Sequence, residues 1–431
     1  MVNKNFLLIS ILCLLTLLAA MNSVIFNVAI PNISNDLALT SSQVSWISIG
    51  YTSITAVGSL AYGKLSIKYP IRRLLNIGIL LFFIGSLIGF LGSHFYLLII
   101  LARLIQASGS SSFVILSMLT INKYIPIKLK GVSLSLLSIS IALALGVGPL
   151  LGGIITNRTS WNYLFLIMLI SIFLPLFINI VMPNEVNSSF SSFDYAGLVL
   201  TFILIITIML SINNNYLLII ISLMIGTVLI NYSKRKSNPF IDLSIFKNRL
   251  FRIFILMGFL LNACHLAVLF IIPILLSIKF HISPQEIGFL FFGGSISGIF
   301  SSLYSKKYIV QKKFFFVLIL SLCTILVGTA SLAILSEYRI YLTGISFILI
   351  CIGYSPIQIG LNSLVSQELA EHNSSNVLGT YNMFNFIGMA CGPALISKVS
   401  IAFNNYSVIF LVCLALACFN LLCLFFIKKK I

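Results

Sequence analysis

Long apolar runs alternate with short polar segments along the whole chain of 431 residues. A helix that crosses the bilayer core needs about 20 apolar residues, and a long run with few charges predicts such a helix. Fourteen runs fit this description, so the sequence predicts an all-α, polytopic membrane protein. The predicted spans are Phe6 to Ile30, Val44 to Leu65, Leu74 to Leu91, Phe95 to Leu119, Leu134 to Ile155, Tyr163 to Val181, Ala196 to Ile212, Tyr216 to Ile230, Phe254 to Leu276, Ile287 to Tyr304, Phe314 to Leu335, Ile340 to Asn362, Tyr381 to Ser400 and Tyr406 to Ile427.

The basic residues fall almost entirely into every second gap between these spans. On the predicted inner side are Lys4 and the groups within Lys64 to Arg73, Lys123 to Lys130, Lys234 to Arg252, Lys306 to Lys313 and Lys428 to Lys430. The outer side holds only Arg158, Lys279, Arg339 and Lys398, and Arg103 lies within a span. Because cytoplasmic loops carry an excess of Lys and Arg, we expect both termini in the cytoplasm.

The formal net charge of +18 does not indicate a nucleic-acid partner. A nucleic-acid binder gathers its cations on one water-facing surface, whereas these are scattered through short loops. A basic inner face is suited instead to anionic membrane lipid. The sequence shows no phosphate-cradling glycine loop, metal-ligand cluster or nucleophile constellation, so we expect no enzyme, no cofactor and no metal.

Two glycine-proline segments suggest an internal repeat. The fifth span contains Gly148-Pro149 followed by Gly152 and Gly153, and the thirteenth contains Gly392-Pro393. In both, a small residue stands four places earlier, and each segment predicts a bend at a helix interface. If spans seven and eight are an insertion, the repeats align as a six-helix bundle at 1–182, a hairpin at 183–253 and a second bundle at 254–431.

Several segments together resemble the major facilitator superfamily, and within it the fourteen-helix drug:proton antiporters, most closely the tetracycline efflux proteins of Gram-positive bacteria. The matching segments are Asn22 to Pro31, Gly63 to Arg73, Leu101 to Gly109, Ala144 to Gly153 and Ser237 to Ile241. The resemblance implies a 6 + 2 + 6 arrangement in a bacterial cell membrane and transport of a small-molecule substrate. It also implies gating or structural roles for Gly63, Arg72 and Arg73 and for the glycines and prolines of spans five and thirteen.

The chain departs from that pattern at three positions where such exporters carry an acid. Here they hold Asn22 in the first span, Ile67 in the loop after span two and Leu145 in span five. None of the eight acidic residues falls within a predicted span. An intramembrane carboxylate is a common proton carrier in transporters, so this chain is expected to use another group or none.

Arg103 and His265 remain as candidates for charge chemistry inside the membrane. For Arg103, one hypothesis is that it holds helices together through backbone carbonyls or Asn22. The other is that it contacts an anion or substrate or controls gating, with Gln106 on the same helical face. For His265, the alternatives are a proton carrier and a neutral side chain that is hydrogen-bonded to a neighbouring helix. Other candidates for the substrate cavity are Asn27, Asn262, Gln358, Asn362 and Asn385.

The sequence therefore predicts a monomeric efflux transporter that works by alternating access, with a tetracycline-type or other drug-like substrate and protons as the candidate coupling ion. Two alternatives stay open at this point. One is an exchanger or facilitated transporter without proton coupling, and the other is a membrane sensor that transports nothing.

Overall fold

A computed structural model describes residues 4–183, 193–213, 217–310, 313–335, 339–368, 374–403 and 405–427. Within these ranges, fourteen helices are long and apolar enough to cross a membrane, as the apolar runs predict. They are α1 Lys4–Asp36, α2 Ser41–Lys68, α3 Ile71–Leu91, α4 Tyr96–Tyr124, α5 Ile127–Arg158, α6 Tyr163–Val181, α7 Tyr195–Asn213, α8 Leu218–Arg235, α9 Arg249–Phe280, α10 Pro284–Val310, α11 Phe314–Leu335, α12 Ile340–Glu368, α13 Ser374–Phe403 and α14 Tyr406–Ile427.

Local signals set where several helices begin. Helix α2 begins with a capping box, in which Gln43 N–H donates to Thr40 Oγ1 and Thr40 N–H donates to Gln43 Oε1. Helices α3 and α5 begin directly after Pro70 and Pro126, which cannot donate a backbone hydrogen bond.

The helices extend beyond several of the predicted spans. The segment from Ser363 to Thr380 was expected to be an inner loop, but α12 continues to Glu368 and α13 already begins at Ser374. Hydropathy finds only the part of a helix that lies in lipid. Backbone hydrogen bonding does not stop at the membrane surface, so the helices project past it.

Helices α1–α6 contact helices α9–α14 mainly along two helix pairs, and we refer to these two sets of helices as the two halves. Helix α2 packs along α13, and α5 packs along α10. The last part of α1 also contacts α9. Helices α7 and α8 pack against each other, and α7 lies against α2 and α13. We call the end of the bundle where α1 ends and α2 begins the outer end, following the predicted sidedness.

The acidic side chains that the structure describes all lie at the ends of helices. Asp36 ends α1 and accepts a hydrogen bond from Trp161 Nε1 at 2.8 Å, and Glu286 bonds Ser283 in the first turn of α10. Asp194 immediately precedes α7, and Asp242 caps a 3₁₀ turn at Leu243–Lys247. The other predicted loop acids, Glu185, Glu337 and Glu371, lie outside the described residues, as does the side chain of Glu368.

Candidate functional site

Arg103 lies where α1, α2 and α4 meet, and its side chain is only 1% exposed. Its Nη1 donates to Asn22 Oδ1 at 2.9 Å and to Gln106 Oε1 at 3.1 Å. Nη2 donates to the Asn22 carbonyl at 3.1 Å, and Nε donates to the Ile47 carbonyl at 3.3 Å. The sequence-predicted residues Arg103, Asn22 and Gln106 therefore form one network that joins three helices.

A break in α1 explains why a backbone carbonyl is available to this arginine. Regular α-helix ends at Val24, and a 3₁₀ segment follows from Ile25 to Ala29. In a 3₁₀ segment each N–H bonds three residues back instead of four, so the Asn22 carbonyl loses its usual partner, the N–H of Phe26. The guanidinium of Arg103 supplies the missing donor, which matters because an unsatisfied carbonyl in lipid is costly.

Aromatic rings and further polar groups enclose the guanidinium. Its Cζ lies 4.1 Å from the ring centre of Tyr51 and 4.5 Å from that of Phe26, which are cation–π distances. Gln106 Nε2 continues the network to Ser86 Oγ on α3 at 2.8 Å. With these contacts made, Arg103 presents its charge to helices α1 and α2 and not to the cavity between the halves.

Asn27 sits inside the 3₁₀ break and is 1% exposed. Its Oδ1 accepts a hydrogen bond from Ser48 Oγ at 3.0 Å, and its Nδ2 has no partner among the described residues. Asn27 therefore ties the break in α1 to α2 and keeps one donor available.

A second polar cluster occupies the other half of the molecule. His265 lies at the middle of α9, as predicted, and is 7% exposed. Its ring stacks on that of Tyr354 from α12, with the centres 3.7 Å apart and the planes at 9°. The Tyr354 hydroxyl donates to Asn262 Oδ1 at 2.9 Å, and Asn262 Nδ2 lies 3.5 Å from Gln358 Oε1. His265 Nδ1 has no hydrogen-bond partner among the described residues.

Two more polar side chains extend this cluster along α13. Tyr381 is fully buried and Asn385 is 5% exposed. The Tyr381 hydroxyl and the side chain of Asn385 are neighbours, and neither meets the geometric criteria for a hydrogen bond with a described residue. A Cβ on Gly258 would overlap Asn385 Oδ1. Unpaired polar groups in a dry interior are costly, which makes them candidates for contact with water or a ligand. Asn362 lies one turn after Gln358 on α12 and is exposed.

A small cavity of about 20 Å³ lies between the two halves, beside the stacked rings. This volume suits about one water molecule. Its walls come from α5, α9, α10 and α12 and include Leu145, His265, Leu269, Ser295 and Tyr354. Leu145 thus lies in the cavity wall, at the position where the resembling exporters carry an acid. No carboxylate whose side chain is described lines this cavity.

The glycine motifs of spans five and thirteen pack in matching ways. A Cβ on Gly148 or Gly152 would stand 3.1 Å from Val24 or 2.5 Å from the Ile25 carbonyl of α1. A Cβ on Gly388 or Gly392 would overlap backbone carbonyl oxygens of α9, those of Phe259 and Ala263. Helix α5 therefore meets α1 as α13 meets α9, and Pro149 and Pro393 lie within these buried faces.

The outer ends of α5 and α10 approach closely enough to seal the bundle there. A Cβ on Gly153 would overlap the Pro284 carbonyl oxygen, and one on Gly288 would stand 2.7 Å from the Pro149 carbonyl oxygen. Asn157 Nδ2 also donates to Gln285 Oε1 across this contact at 3.3 Å. The structure is therefore closed at its outer end between these two helices.

The basic segment predicted as a loop lies mostly in the last turns of α2 and the first turn of α3, and it makes two contacts at the inner end. Lys64 Nζ donates to the Pro239 carbonyl at 2.6 Å, and Arg72 Nε donates to Asn179 Oδ1 on α6 at 2.9 Å. Gly63 has only an ordinary contact, with a hypothetical Cβ 3.6 Å from Ile115. The exposed Arg73 lies beside Arg72.

No pattern in the sequence predicted the buried, hydrogen-bonded carboxylate of Asp194 at the inner end of the bundle. Asp194 is 4% exposed and accepts hydrogen bonds from Tyr232 Oη at 2.7 Å, Gly197 N–H at 3.1 Å and Phe240 N–H at 2.8 Å. Lys236 Nζ lies 3.6 Å from the carboxylate. Burial by itself raises the pKa of Asp194, but these donors and the lysine outweigh it and hold that pKa below its ordinary value. A charged residue just before an apolar run gave no signal of such burial.

The sequence model of the Major Facilitator Superfamily matches residues 12–393, which is most of the chain. The chain belongs to the Major Facilitator Superfamily. It is 27% identical to the riboflavin transporter RibZ of Clostridioides difficile (strain 630) over 67% of this chain and 64% of that protein. It is 26% identical to the multidrug efflux pump SdrM of Staphylococcus aureus (strain N315) over 91% of this chain and 89% of that protein.

A solved structure of the same superfamily fold covers nearly the whole molecule. The crystal structure of the human organic anion transporter MFSD10 matches with a TM-score of 0.70 over 98% of this chain and 100% of that chain, at 12% identity. This likeness shows the fold alone. The superfamily match identifies a multi-pass membrane transporter that handles small molecules, and it leaves the subgroup and substrate open.

Proposed function

We propose that this transporter exports small, planar, drug-like molecules with no fixed positive charge, and that tetracycline-type compounds are among them. The observation that carries the proposal is the His265 and Tyr354 stack beside the cavity between the halves. Stacked rings offer a flat apolar face, while Asn262 and Gln358 offer hydrogen bonds at its edge. Sites of this kind combine apolar walls with a few well-placed polar groups.

The absence of described carboxylates from the cavity wall supports the charge preference. A permanently cationic substrate gains most from a fixed negative charge in a low-dielectric site. Leu145, which lies in the cavity wall, provides no negative charge. The names of the relatives, a riboflavin transporter and a multidrug efflux pump, also support a small organic substrate.

The closed outer end and a motif in α5 support export as the direction of transport. The close contact of α5 with α10 shuts the outer end, and the cavity of about 20 Å³ is too small for a drug-sized molecule in this conformation. Substrate entry from the inner side therefore requires the two halves to move apart at their inner ends. Opening that contact while the inner ends close moves the same cavity to the outside. The resemblance of Ala144 to Gly153 to an exporter motif supports export over import.

Proton antiport is the coupling that we propose, with His265 as the carrier. Histidine is the side chain whose ordinary titration lies nearest neutral pH, and His265 lies at the cavity. The lack of a described carboxylate at the cavity favours one other mechanism, which is exchange or facilitated diffusion without protons. Transport with and without an imposed pH gradient separates the two.

Drug accumulation in cells tests the proposed function. Cells that express the wild type are expected to accumulate less tetracycline and other planar neutral drugs than cells without it, with little effect on quaternary ammonium compounds. Tyr354→Ala removes the stacked ring and is expected to abolish the difference. The matched control is Tyr341→Ala on the same helix, because Tyr341 is 81% exposed. Equal accumulation with and without the wild-type protein, across the whole panel, contradicts the proposal.

A further inference from the structure

A groove of about 430 Å³ opens on the outside of the bundle between α3 and α6, near their inner ends. Its walls include Arg72, Arg73, Asn76, Ile77, Leu80 and Asn179. It is distinct from the cavity between the halves, since the two share no lining residue. The transport site therefore does not account for it.

Hydrogen bonds between α3 and α6 hold the polar end of the groove in place. Arg72 Nε and Asn76 Nδ2 both donate to Asn179 Oδ1, at 2.9 and 2.8 Å. Arg72 Nη1 also donates to the Met182 carbonyl at 3.3 Å. The arginine is thus fixed by α6 and does not swing freely into water.

The groove changes from charged to apolar along one face of α3. Arg73, Asn76, Ile77 and Leu80 follow the i, i+3, i+4, i+7 spacing of such a face. Leu80 lies seven positions after Arg73 on α3, which corresponds to a rise of about 10 Å along the helix. Arg73 is exposed, and Ile77 and Leu80 are 43% and 51% exposed, so this face is not covered by the protein.

This arrangement matches the chemistry of a phospholipid molecule. Two guanidinium groups suit the planar, bidentate recognition of a phosphate. Arg73 makes no ion pair with a described acid, and Asp36, Asp194, Asp242 and Glu286 do not line the groove. Basic pockets between helices on the cytoplasmic side attract anionic lipid headgroups, and the predicted sidedness puts this groove at the inner leaflet.

We propose that the groove binds an anionic phospholipid of the inner leaflet. The phosphodiester lies on Arg72 and Arg73, and one acyl chain runs along Ile77 and Leu80. The ligand is recognised by its phosphate and by its chain together, which distinguishes it from a soluble phosphate. Bound lipid bridges α3 and α6 beside the basic segment that joins α2 to α3.

Native mass spectrometry of the full-length protein, released from micelles that contain phosphatidylglycerol or phosphatidylcholine, tests this proposal. The wild type is expected to retain phosphatidylglycerol preferentially. Arg73→Gln is expected to weaken that retention about fivefold, the effect of one basic charge near an anionic membrane surface. Arg73→Lys keeps the charge and is expected to retain most of the binding. The matched control is Arg235→Gln, an exposed inner-end arginine on α8 that is outside the groove.

Two further measurements keep the proposal falsifiable. Leu80→Gln leaves both arginines intact and is expected to weaken retention through the acyl path, should Arg73→Gln not fold. Inorganic phosphate at millimolar concentration is expected not to displace the lipid. Equal retention of the two lipids by the wild type, unchanged retention in Arg73→Gln and Leu80→Gln, or full displacement by phosphate overturns the proposal.

Discussion

Arg103 donates hydrogen bonds to both the side chain and the backbone carbonyl of Asn22, at 2.9 and 3.1 Å. This pair joins the only arginine within a predicted span to the helix break in α1. In many exporters that the chain resembles, the position of Asn22 is acidic, whereas here the arginine meets a side-chain amide and a backbone carbonyl. The charge of Arg103 is balanced by dipoles and rings, which suits a role in holding α1, α2 and α4 together.

Substitution of Arg103 tests that role. Arg103→Ala leaves the Asn22 and Ile47 carbonyls without this donor, and each such loss costs about 1 to 3 kcal/mol. Arg103→Lys keeps the charge, but one ammonium does not reproduce the planar fork, so an intermediate loss is expected. Thermal melting in detergent is expected to rank wild type above Arg103→Lys and Arg103→Ala. The control is Arg158→Ala, which alters an exposed arginine. Wild-type melting of Arg103→Ala contradicts the role.

Two glycines are expected to control the outer seal. A methyl group at Gly153 or Gly288 meets a backbone carbonyl, and such overpacking costs roughly 1 to 3 kcal/mol. Gly153→Ala and Gly288→Ala are therefore expected to open the outer end. Crosslinking between Asn157→Cys and Gln285→Cys, in a background without the native cysteines, measures that opening as a lower yield.

The same helices provide controls for this test. Gly131 on α5 and Gly293 on α10 have open space where a Cβ would stand. Gly131→Ala and Gly293→Ala are expected to leave the crosslinking yield unchanged. Equal yields in all four alanine variants show that close packing of α5 and α10 does not set the seal.

Leu145 is expected to set the charge preference of the cavity. Leu145→Glu adds a negative charge to a wall without a described carboxylate, so efflux of a permanently cationic dye such as ethidium is expected to increase. Leu145→Gln is the uncharged control and is expected not to produce this gain. Cellular dye accumulation measures both variants, and the same dye efflux from Leu145→Gln as from Leu145→Glu rules out charge as the cause.

The pKa of Asp194 predicts a pH dependence of stability. Because that pKa is lower in the folded protein than in the unfolded chain, the carboxylate stabilises the fold above its unfolded value of about 3.9. This contribution falls as the pH drops through the lower, folded value. Thermal melting between pH 3 and pH 7 is expected to show a steeper acid loss for wild type than for Asp194→Asn. Asp242→Asn, which changes an acid in the neighbouring loop, is the control, and identical pH profiles for wild type and Asp194→Asn refute the prediction.

Apolar runs and glycine spacing predicted much of the fold, because both are local properties of the sequence. The fourteen helices follow from hydropathy, and the packing of Gly148 and Gly392 on α1 and α9 follows from small residues at helical spacing. The partners of the polar residues were harder to predict. Tyr354 stacks on His265 from a helix almost ninety positions away, and Asp194 accepts a hydrogen bond from the N–H of Phe240, which lies beyond helices α7 and α8 in the sequence. Such pairs depend on tertiary packing, which no periodicity in one sequence encodes.

Transport into proteoliposomes under an imposed pH gradient tests the central claim most directly. That claim is that His265, and not a carboxylate, carries the proton at the cavity between the halves. A gradient is expected to accelerate substrate transport by the wild type and to have no effect on transport by His265→Gln. Gradient-driven transport that persists in His265→Gln would contradict this claim, and so would wild-type transport that ignores the gradient.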